Sequence, residues 1–351
     1  AGIDEGLATQ ASEVFSASVA RDTTTRLLAQ PTRLRPTALI AGGVDVLLFI
    51  GSVPNGRRVL RAAAETLTPV VLELGGKDPL IVCEDADMER AVHAALGGTF
   101  INCGQNCVAS ERILVHRSKL AWFEARIKSH VDAMRQGASE NGLVDVGAMI
   151  TPLQLAHVEG LVARAVAEGA RIVTGGKRQP GTHGWYYEPT VLSDLRPDME
   201  IMREEMFGPV MLLCGFGSDD EAVTIANDTA FGLSSSVFSR DGARAKRIAD
   251  RVHAGMAAIN DFGGMTYMAQ ELPFGGVKDS GFGRMNGAEG LRAFCTSKGV
   301  LVDRFPFGFP AKVFPATEAD YDTTRNAVRL LYGASLGERI KALGDLIKKP
   351  R

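Results

Sequence analysis

The chain has 351 residues, of which 45% are hydrophobic and 23% charged, and its formal net charge is −2 at pH 7. This composition is typical of a globular protein, and the length predicts about two domains. The near-neutral charge argues against a nucleic-acid partner, because nucleic-acid-binding domains carry strongly basic surfaces. No apolar run approaches the ~20 residues that a membrane-spanning helix requires.

The cysteines and histidines indicate a reducing compartment without a metal site. The five cysteines are odd in number, and no two are spaced as in a CxxC motif. This usage is typical of free thiols in an intracellular protein, and it argues against a disulfide framework. The six histidines are scattered and no HExxH motif occurs, so the sequence predicts no metal ligands.

Residues 1–37 form a leader of unassigned fold, for which two interpretations stand. Between Val14 and Val44 the one acidic residue is Asp22, whereas arginines stand among serine, threonine and alanine. An acid-poor leader of this kind has the composition of an organelle transit segment, which favours a mitochondrial location. A solvated helix and linker ahead of the fold explains the same residues.

The first predicted elements form a strand–helix–strand unit. Val44–Ile50 is a β-rich apolar run that ends at Gly51 and Ser52, a helix follows over Asn55–Leu67, and Val70–Leu74 is a second buried strand. Short apolar strands joined by a helix suit a parallel sheet that is covered on both faces. The start of the helix offers unpaired N–H groups and partial positive charge, which favour an anion.

Strands and helices alternate again beyond Lys77, which predicts a second, larger α/β unit. On one helix, Val158, Leu161, Val162, Ala165 and Val166 fall on one predicted face. The predicted strands are Pro79–Cys83, Val210–Phe216, Ser234–Phe238 and Met256–Asn260, and the predicted helices are Asp87–Gly97, Arg117–Met134, Thr151–Glu168 and Asp241–Val252.

Two segments of the chain carry residues that point to carbonyl chemistry. Cys107 ends the octet Phe-Ile-Asn-Cys-Gly-Gln-Asn-Cys, and Glu73 lies upstream in Leu-Glu-Leu-Gly-Gly-Lys, where an apolar strand meets a diglycine turn. A thiol nucleophile and a carboxylate base on separate loops are the pair that thioester chemistry needs. Together the segments resemble the aldehyde dehydrogenase superfamily, whose nucleophile segment reads Phe-x-Asn-x-Gly-Gln-x-Cys and whose base segment reads Glu-Leu-Gly-Gly-Lys.

The resemblance covers about residues 38–303 and implies an aldehyde dehydrogenase-like α/β fold. It implies a truncated Rossmann-like, dinucleotide-binding lobe over residues 38–75 and a complete α/β catalytic lobe over residues 76–277. A return and oligomerisation segment follows over residues 278–303, and residues 304–351 are a C-terminal extension.

The resemblance also implies a reaction and a role for each matching residue. Cys107 would attack an aldehyde to form a thiohemiacetal, hydride would pass to NAD or NADP, and Glu73 would activate water to release the acid from a thioester. Gly51 and Ser52 match the start of the family's pyrophosphate-binding helix. In Glu-Glu-Met-Phe-Gly-Pro, Glu205 and Phe207 match the residues that hold the nicotinamide ribose and pack beside the nicotinamide.

Three further matches receive structural interpretations. The late Gly-rich loop Pro273–Arg284 is interpreted as a set of tight turns, because glycine permits them, and not as a phosphate loop. Asn260 matches a family position that orients loops around the active site. Cys103 is interpreted as a packing thiol and not as a second nucleophile.

The family's leading third has no counterpart in this sequence. Members carry a Pro-Trp-Asn-type segment, whose Asn donates to the oxyanion, and a Lys that helps to hold the adenine ribose; residues 1–37 contain no Trp, Lys or Asn. We therefore expect impaired activity and weakened cofactor binding in this chain. Three explanations stand for the open edge beside strand 44–50: a homo-oligomer or other subunits cover it, residues 1–37 cover it in part, or the sequence is a fragment. The alternative function is a non-catalytic structural subunit of a larger, mitochondrial membrane-associated complex.

A predicted amphipathic helix closes the chain. Leu336, Ile340, Leu343 and Ile347 share one face, and basic residues occupy the other. A basic amphipathic helix either lies on a membrane surface or docks on protein. The pattern over residues 335–349 therefore predicts one of two things: peripheral membrane contact, or docking on protein.

Overall fold

The computed structural model describes residues 38–42, 46–138, 143–179, 184–302 and 314–347. The predicted leader, residues 1–37, lies outside the described residues. The chain divides into two compact units, the first ending at Thr296 and the second beginning at Ser297.

The smaller sheet of the first unit has four strands, in the order β1 (Ala38–Gly42), β2 (Val46–Ile50), β3 (Val70–Glu73) and β11 (Gly281–Phe282). Strand β2 (Val46–Ile50) is followed by helix α1 (Val53–Ala64) and by β3 (Val70–Glu73), which is parallel to β2. The predicted strand–helix–strand unit is therefore confirmed. Apolar side chains from all three elements pack into one small core made of Leu47, Phe49, Val59, Leu72 and Leu74.

Both edges of the β2–β3 pair are closed within the chain. Strand β1 (Ala38–Gly42) runs antiparallel to β2 along its whole length. Strand β11 (Gly281–Phe282) returns late in the sequence and pairs antiparallel with β3. The expectation that another chain pairs with the edge of β2 is therefore wrong, because β1 already bonds to the backbone groups of that edge.

The larger sheet has the strand order β10-β9-β4-β5-β8-β7-β6, and all its neighbouring strands are parallel except β6 and β7. Its strands are β4 (Asp78–Val82), β5 (Ser110–His116), β6 (Arg171–Thr174), β7 (Thr190–Ser193), β8 (Val210–Phe216), β9 (Ser236–Phe238) and β10 (Ala258–Ile259). The helices of this part are α2 (Met88–Phe100), α3 (Arg117–Asp132), α4 (Pro152–Ala167), α5 (Asp219–Asn227), α6 (Gly242–Ala249), α7 (Met265–Met268) and α8 (Gly287–Ala293).

The central strands of the larger sheet are buried almost throughout. All residues of β4 and β7 are buried, and β5 and β8 each have one half-buried residue. A parallel sheet is covered on both faces, so these strands are buried even where they carry charged residues, as at Asp78, Glu111 and Arg112. The predicted face of α4 is confirmed at Val158, Leu161, Val162 and Ala165. The prediction is wrong for Val166, which is 39% exposed because it lies at the margin of the apolar stripe.

The second unit is a helical hairpin of α9 (Glu318–Tyr332) and α10 (Leu336–Ile347). The four apolar residues predicted to share a face of α10 are all exposed, from 44% at Leu343 to 75% at Leu336. In the part of the chain that the structure describes, no helix has the length and apolar character needed to cross a membrane.

Candidate active site

Glu73 ends strand β3 and is 4% exposed. Neither of its carboxylate oxygens has a hydrogen-bond partner among the described residues. Burial raises the pKa of Glu73 to about 8, although the positive charge of Arg284 acts in the opposite direction. A carboxyl group with such a pKa exchanges protons near neutral pH, which suits a general base.

The diglycine turn after β3 joins Glu73 to two other predicted site residues. A methyl group added at Gly76 would overlap the carbonyl oxygen of Cys107, and one added at Gly75 would overlap the carboxylate of Glu205. The N–H of Gly76 also donates to Glu205 Oε1 over 3.0 Å. The turn therefore needs glycines, because only a backbone without side chains fits against both neighbours.

Cys107 is half-buried and packs against an apolar cluster that includes Leu233, Met256 and Phe274. Burial raises the pKa of its thiol to about 12, and the charges of Asp78, Glu205 and Glu73 act in the same direction. The thiol is therefore protonated at neutral pH, and nearby positive charge or hydrogen-bond donors are needed to form the nucleophilic thiolate.

The segment before Cys107 has an unusual backbone. Asn102, Cys103 and Gly104 all have positive φ, between 54° and 66°. At Gly104 a side chain would collide with the carbonyl of Gly208, so glycine is required there. The buried Cys103 Sγ lies 3.7 Å from Met149 Sδ, in agreement with a packing role.

Glu111 holds the predicted nicotinamide-side segment in place. Its carboxylate accepts hydrogen bonds from the backbone N–H groups of Met206 and Phe207, each at 2.9 Å. It also accepts one from Lys77 Nζ at 2.5 Å, in a buried ion pair. Burial, followed by repulsion from Glu111, raises the pKa of Glu205 to about 8. Glu111 thus connects the Glu-Leu-Gly-Gly-Lys segment to the Glu-Glu-Met-Phe-Gly-Pro segment.

The sequence patterns did not single out Glu111 or two other buried charged residues near it, Asp78 and Arg112. Asp78 accepts hydrogen bonds from the backbone and hydroxyl of Ser234. Arg112 donates to the carbonyls of Lys77, Ile225 and Ala226, and so joins the diglycine turn to the end of α5. Two adjacent charges directly before the apolar run 113–115 of β5 were the available signal, because buried charges require partners.

Gly51 and Ser52 lie at the start of α1, as predicted. Ser52 is the N-cap residue in an extended conformation, its side chain makes no capping bond, and the first turn contains no acidic residue. Gly51 N–H donates to the carbonyl of Glu73, which ties this helix start to the base-bearing strand. The partial positive charge of this helix start is not offset by an acidic residue in the first turn, which favours an anion there.

The late Gly-rich loop forms part of the wall around Glu73. A methyl group added at Gly275, whose φ is +154°, would lie 2.9 Å from Glu73 Oε1. Arg284 donates to the carbonyls of Gly276 and Gly283, which fixes its guanidinium in the loop. Asn260, in contrast, bonds through both side-chain atoms to the backbone of Ser239 and links the ends of β9 and β10.

Comparison with known proteins identifies relatives of this chain. The sequence pattern of the aldehyde dehydrogenase family matches residues 36–300. A putative aldehyde dehydrogenase-like protein of Schizosaccharomyces pombe is 39% identical over 301 residues, which cover 83% of this chain and 57% of the relative. A betaine aldehyde dehydrogenase of Rhizobium etli is 42% identical over 262 residues, 74% of this chain and 53% of the relative.

Solved structures show the same similarity. A betaine aldehyde dehydrogenase double mutant of Staphylococcus aureus, in complex with NAD+, is 38% identical with a TM-score of 0.69, covering 75% of this chain and 54% of that one. An NAD-dependent aldehyde dehydrogenase of Sinorhizobium meliloti is 39% identical with a TM-score of 0.70. The match covers 73% of this chain and 50% of that one. The predicted α/β fold is confirmed. The chain spans about half the length of the curated relatives it matches.

Proposed function

The chain belongs to the aldehyde dehydrogenase family, and on this premise we propose that it oxidises an aldehyde to a carboxylic acid with NAD or NADP as cofactor. Cys107 is the nucleophile and Glu73 the general base. The observation that carries the proposal is the buried carboxyl of Glu73, which has no partner among the described residues and lies beside the turn that touches Cys107. A base held in this way is available to a substrate or a water molecule.

The described residues fit a nicotinamide dinucleotide. The uncapped start of α1 at Gly51 and Ser52 suits the pyrophosphate. Glu205 would hold the nicotinamide ribose, and Phe207, whose backbone N–H donates to Glu111, would pack beside the nicotinamide ring. When bound, the cofactor supplies the hydride acceptor and a positive charge.

Cys107 and Glu73 then perform the steps that belong to the protein. Glu73 takes the proton of the Cys107 thiol, and the thiolate sulfur forms a bond to the aldehyde carbon while the π electrons of the carbonyl move to its oxygen. Glu73 releases this proton to solvent before the second half of the reaction. Once the substrate carbon is oxidised to a thioester, Glu73 takes a proton from water, and the resulting hydroxide attacks the acyl carbon. The C–S bond breaks, the acid leaves, and the sulfur recovers a proton. A pKa near 8 lets Glu73 accept and return protons during both thioester formation and thioester hydrolysis.

The test is cofactor reduction by the purified, full chain with a panel of aliphatic, aromatic and betaine aldehydes. We expect Cys107→Ala to abolish NAD(P)H formation and Cys103→Ala to retain it, because Cys103 lies away from solvent among packing residues. Glu73→Gln should slow both the first formation of NAD(P)H and the steady turnover, because Glu73 deprotonates the Cys107 thiol in the first half of the reaction and water in the second.

The alternative, a non-catalytic structural subunit, makes the opposite prediction. A folded sample that binds neither NAD nor NADP by calorimetry and oxidises no aldehyde would overturn the enzymatic proposal. Recovery of that sample in a large assembly of several different chains would then support the structural role. Turnover that survives Cys107→Ala would also contradict the proposal, because it would require another nucleophile.

A further inference from the structure

Three potential metal ligands converge between helices α2 and α3. Glu89 and His93 are four residues apart on α2, so they lie on the same face of the helix. His130 comes from the last turn of α3. The ligand atoms of the three residues lie within 4.8 Å of one another, and the two imidazole rings are 5.1 Å apart.

The hydrogen bonding of these side chains suits a cation. His130 Nε2 is buried and has no hydrogen-bond partner among the described residues, an arrangement that ordinarily carries a free-energy penalty. Glu89 bonds to Arg126 over 3.0 Å at each oxygen.

We propose that Glu89, His93 and His130 form a binding site for a divalent transition-metal ion, of which Zn²⁺ is the best match. Two imidazole nitrogens and one carboxylate oxygen are a typical zinc set, with water in the fourth position. Mg²⁺ and Ca²⁺ are disfavoured because both take oxygen ligands.

Small side-chain movements complete the geometry. Zn–N and Zn–O bonds of about 2.0–2.2 Å place tetrahedral ligands roughly 3.4 Å apart, so the three ligand atoms must approach one another from their present separation. Glu89 and His93 are exposed on the surface of α2, so their side chains can adjust without displacing the core. When one oxygen of Glu89 binds the metal, Arg126 retains the other as an outer partner, as is common for metal-bound carboxylates.

A bound metal would link α2 to α3 near the N-terminal end of α2, whereas the nucleophile segment follows the C-terminal end of α2. α2 runs directly into the 3₁₀ turn Ile101–Gly104 that leads to Cys107. A metal that binds only the folded protein stabilises it, so Zn²⁺ should raise the thermal midpoint. No contiguous sequence motif contains this site, because the third ligand belongs to a separate helix.

Isothermal titration of the full chain with ZnCl₂ tests the proposal. Two replacements, Cys107→Ser and Cys295→Ser, form the background, because accessible thiols also bind zinc. We expect one equivalent of Zn²⁺ to bind and to raise the melting temperature, whereas Mg²⁺ should do neither. His93→Gln and His130→Gln should each weaken binding by more than about tenfold, since even outer partners of metal ligands change affinity by about 10–100-fold.

His253→Gln is the matched control, because His253 is an exposed histidine outside the cluster, and it should bind zinc like the background protein. Circular dichroism establishes that each variant is folded. Equal affinity in the background protein, His93→Gln and His130→Gln, or no binding heat and no melting shift with the background protein, would overturn the proposal.

Discussion

Lys77 and Glu111 form an ion pair from which solvent is excluded, with Nζ and Oε2 2.5 Å apart and side-chain exposures of 0% and 3%. Lys77 belongs to the turn that follows Glu73, and Glu111 bonds to the backbone of Met206 and Phe207. The pair therefore joins the base-bearing turn to the segment proposed to contact the nicotinamide.

Lys77→Gln should destabilise the protein by about 3–5 kcal/mol, because it leaves the buried charge of Glu111 without its partner. Urea unfolding measures the effect. Lys246→Gln is the matched control: its exposed ion pair with Asp250 should contribute about 1 kcal/mol or less. Equal losses for the two variants would contradict the structural role of the buried pair.

Glu73→Gln should stabilise the protein at pH 8 and have little effect near pH 4.5. The folded pKa of about 8 exceeds the ordinary 4.5, so the folded state binds the proton more tightly than the unfolded state. Stability therefore falls as pH rises between these values. Each pKa unit equals about 1.4 kcal/mol, which gives a gain on the order of 4 kcal/mol at pH 8.

Glu159→Gln should behave in the opposite way in the same series of unfolding measurements. Its hydrogen bond with Arg178 lowers the pKa of Glu159, so that carboxylate stabilises the fold above pH 4.5 and loses this effect as pH falls. The substitution should therefore reduce stability at pH 8. A Glu73→Gln protein that is less stable than the parent at pH 8 would show that Glu73 is not buried as an unpaired carboxyl.

Alkylation of the cofactor-free protein should modify Cys295 before Cys107. Cys295 is exposed, whereas burial raises the pKa of Cys107 from 9.0 to about 12. At neutral pH the thiolate fraction of Cys107 is thus about a thousandfold below that of an ordinary thiol. Peptide mass spectrometry after timed iodoacetamide treatment gives the order in which the two cysteines are modified. Modification of Cys107 as fast as that of Cys295 would contradict the claim that the Cys107 thiol is protonated.

Gly75→Ala should raise the KM for NAD(P)+ and lower stability by about 1–3 kcal/mol, because the new methyl group would overlap the carboxylate of Glu205. Steady-state kinetics and urea unfolding measure the two effects. Gly147→Ala is the control, since no atom lies within 4 Å of a methyl group added there. An unchanged KM in Gly75→Ala would remove Glu205 from the proposed cofactor site.

The sequence by itself determined the elements and motifs whose physical signals are local. Apolar runs between turns predicted β2, β3 and β8, the last with its observed bounds Val210–Phe216. Family identity was equally accessible, because Glu73 and Cys107 each lie in a short contiguous motif. Backbone sterics explain this: tight turns against neighbouring chain require glycine, whatever the remaining fold does.

Only the tertiary structure decided what distant segments build together. β1 and β11 come from opposite ends of the first unit and pair with the outer edges of β2 and β3. Glu111 accepts hydrogen bonds from residues far away in sequence. The cluster of Glu89, His93 and His130 likewise needs two packed helices. Strand pairing, buried charge and metal-ligand geometry depend on distances in space, and a one-dimensional pattern does not contain those distances.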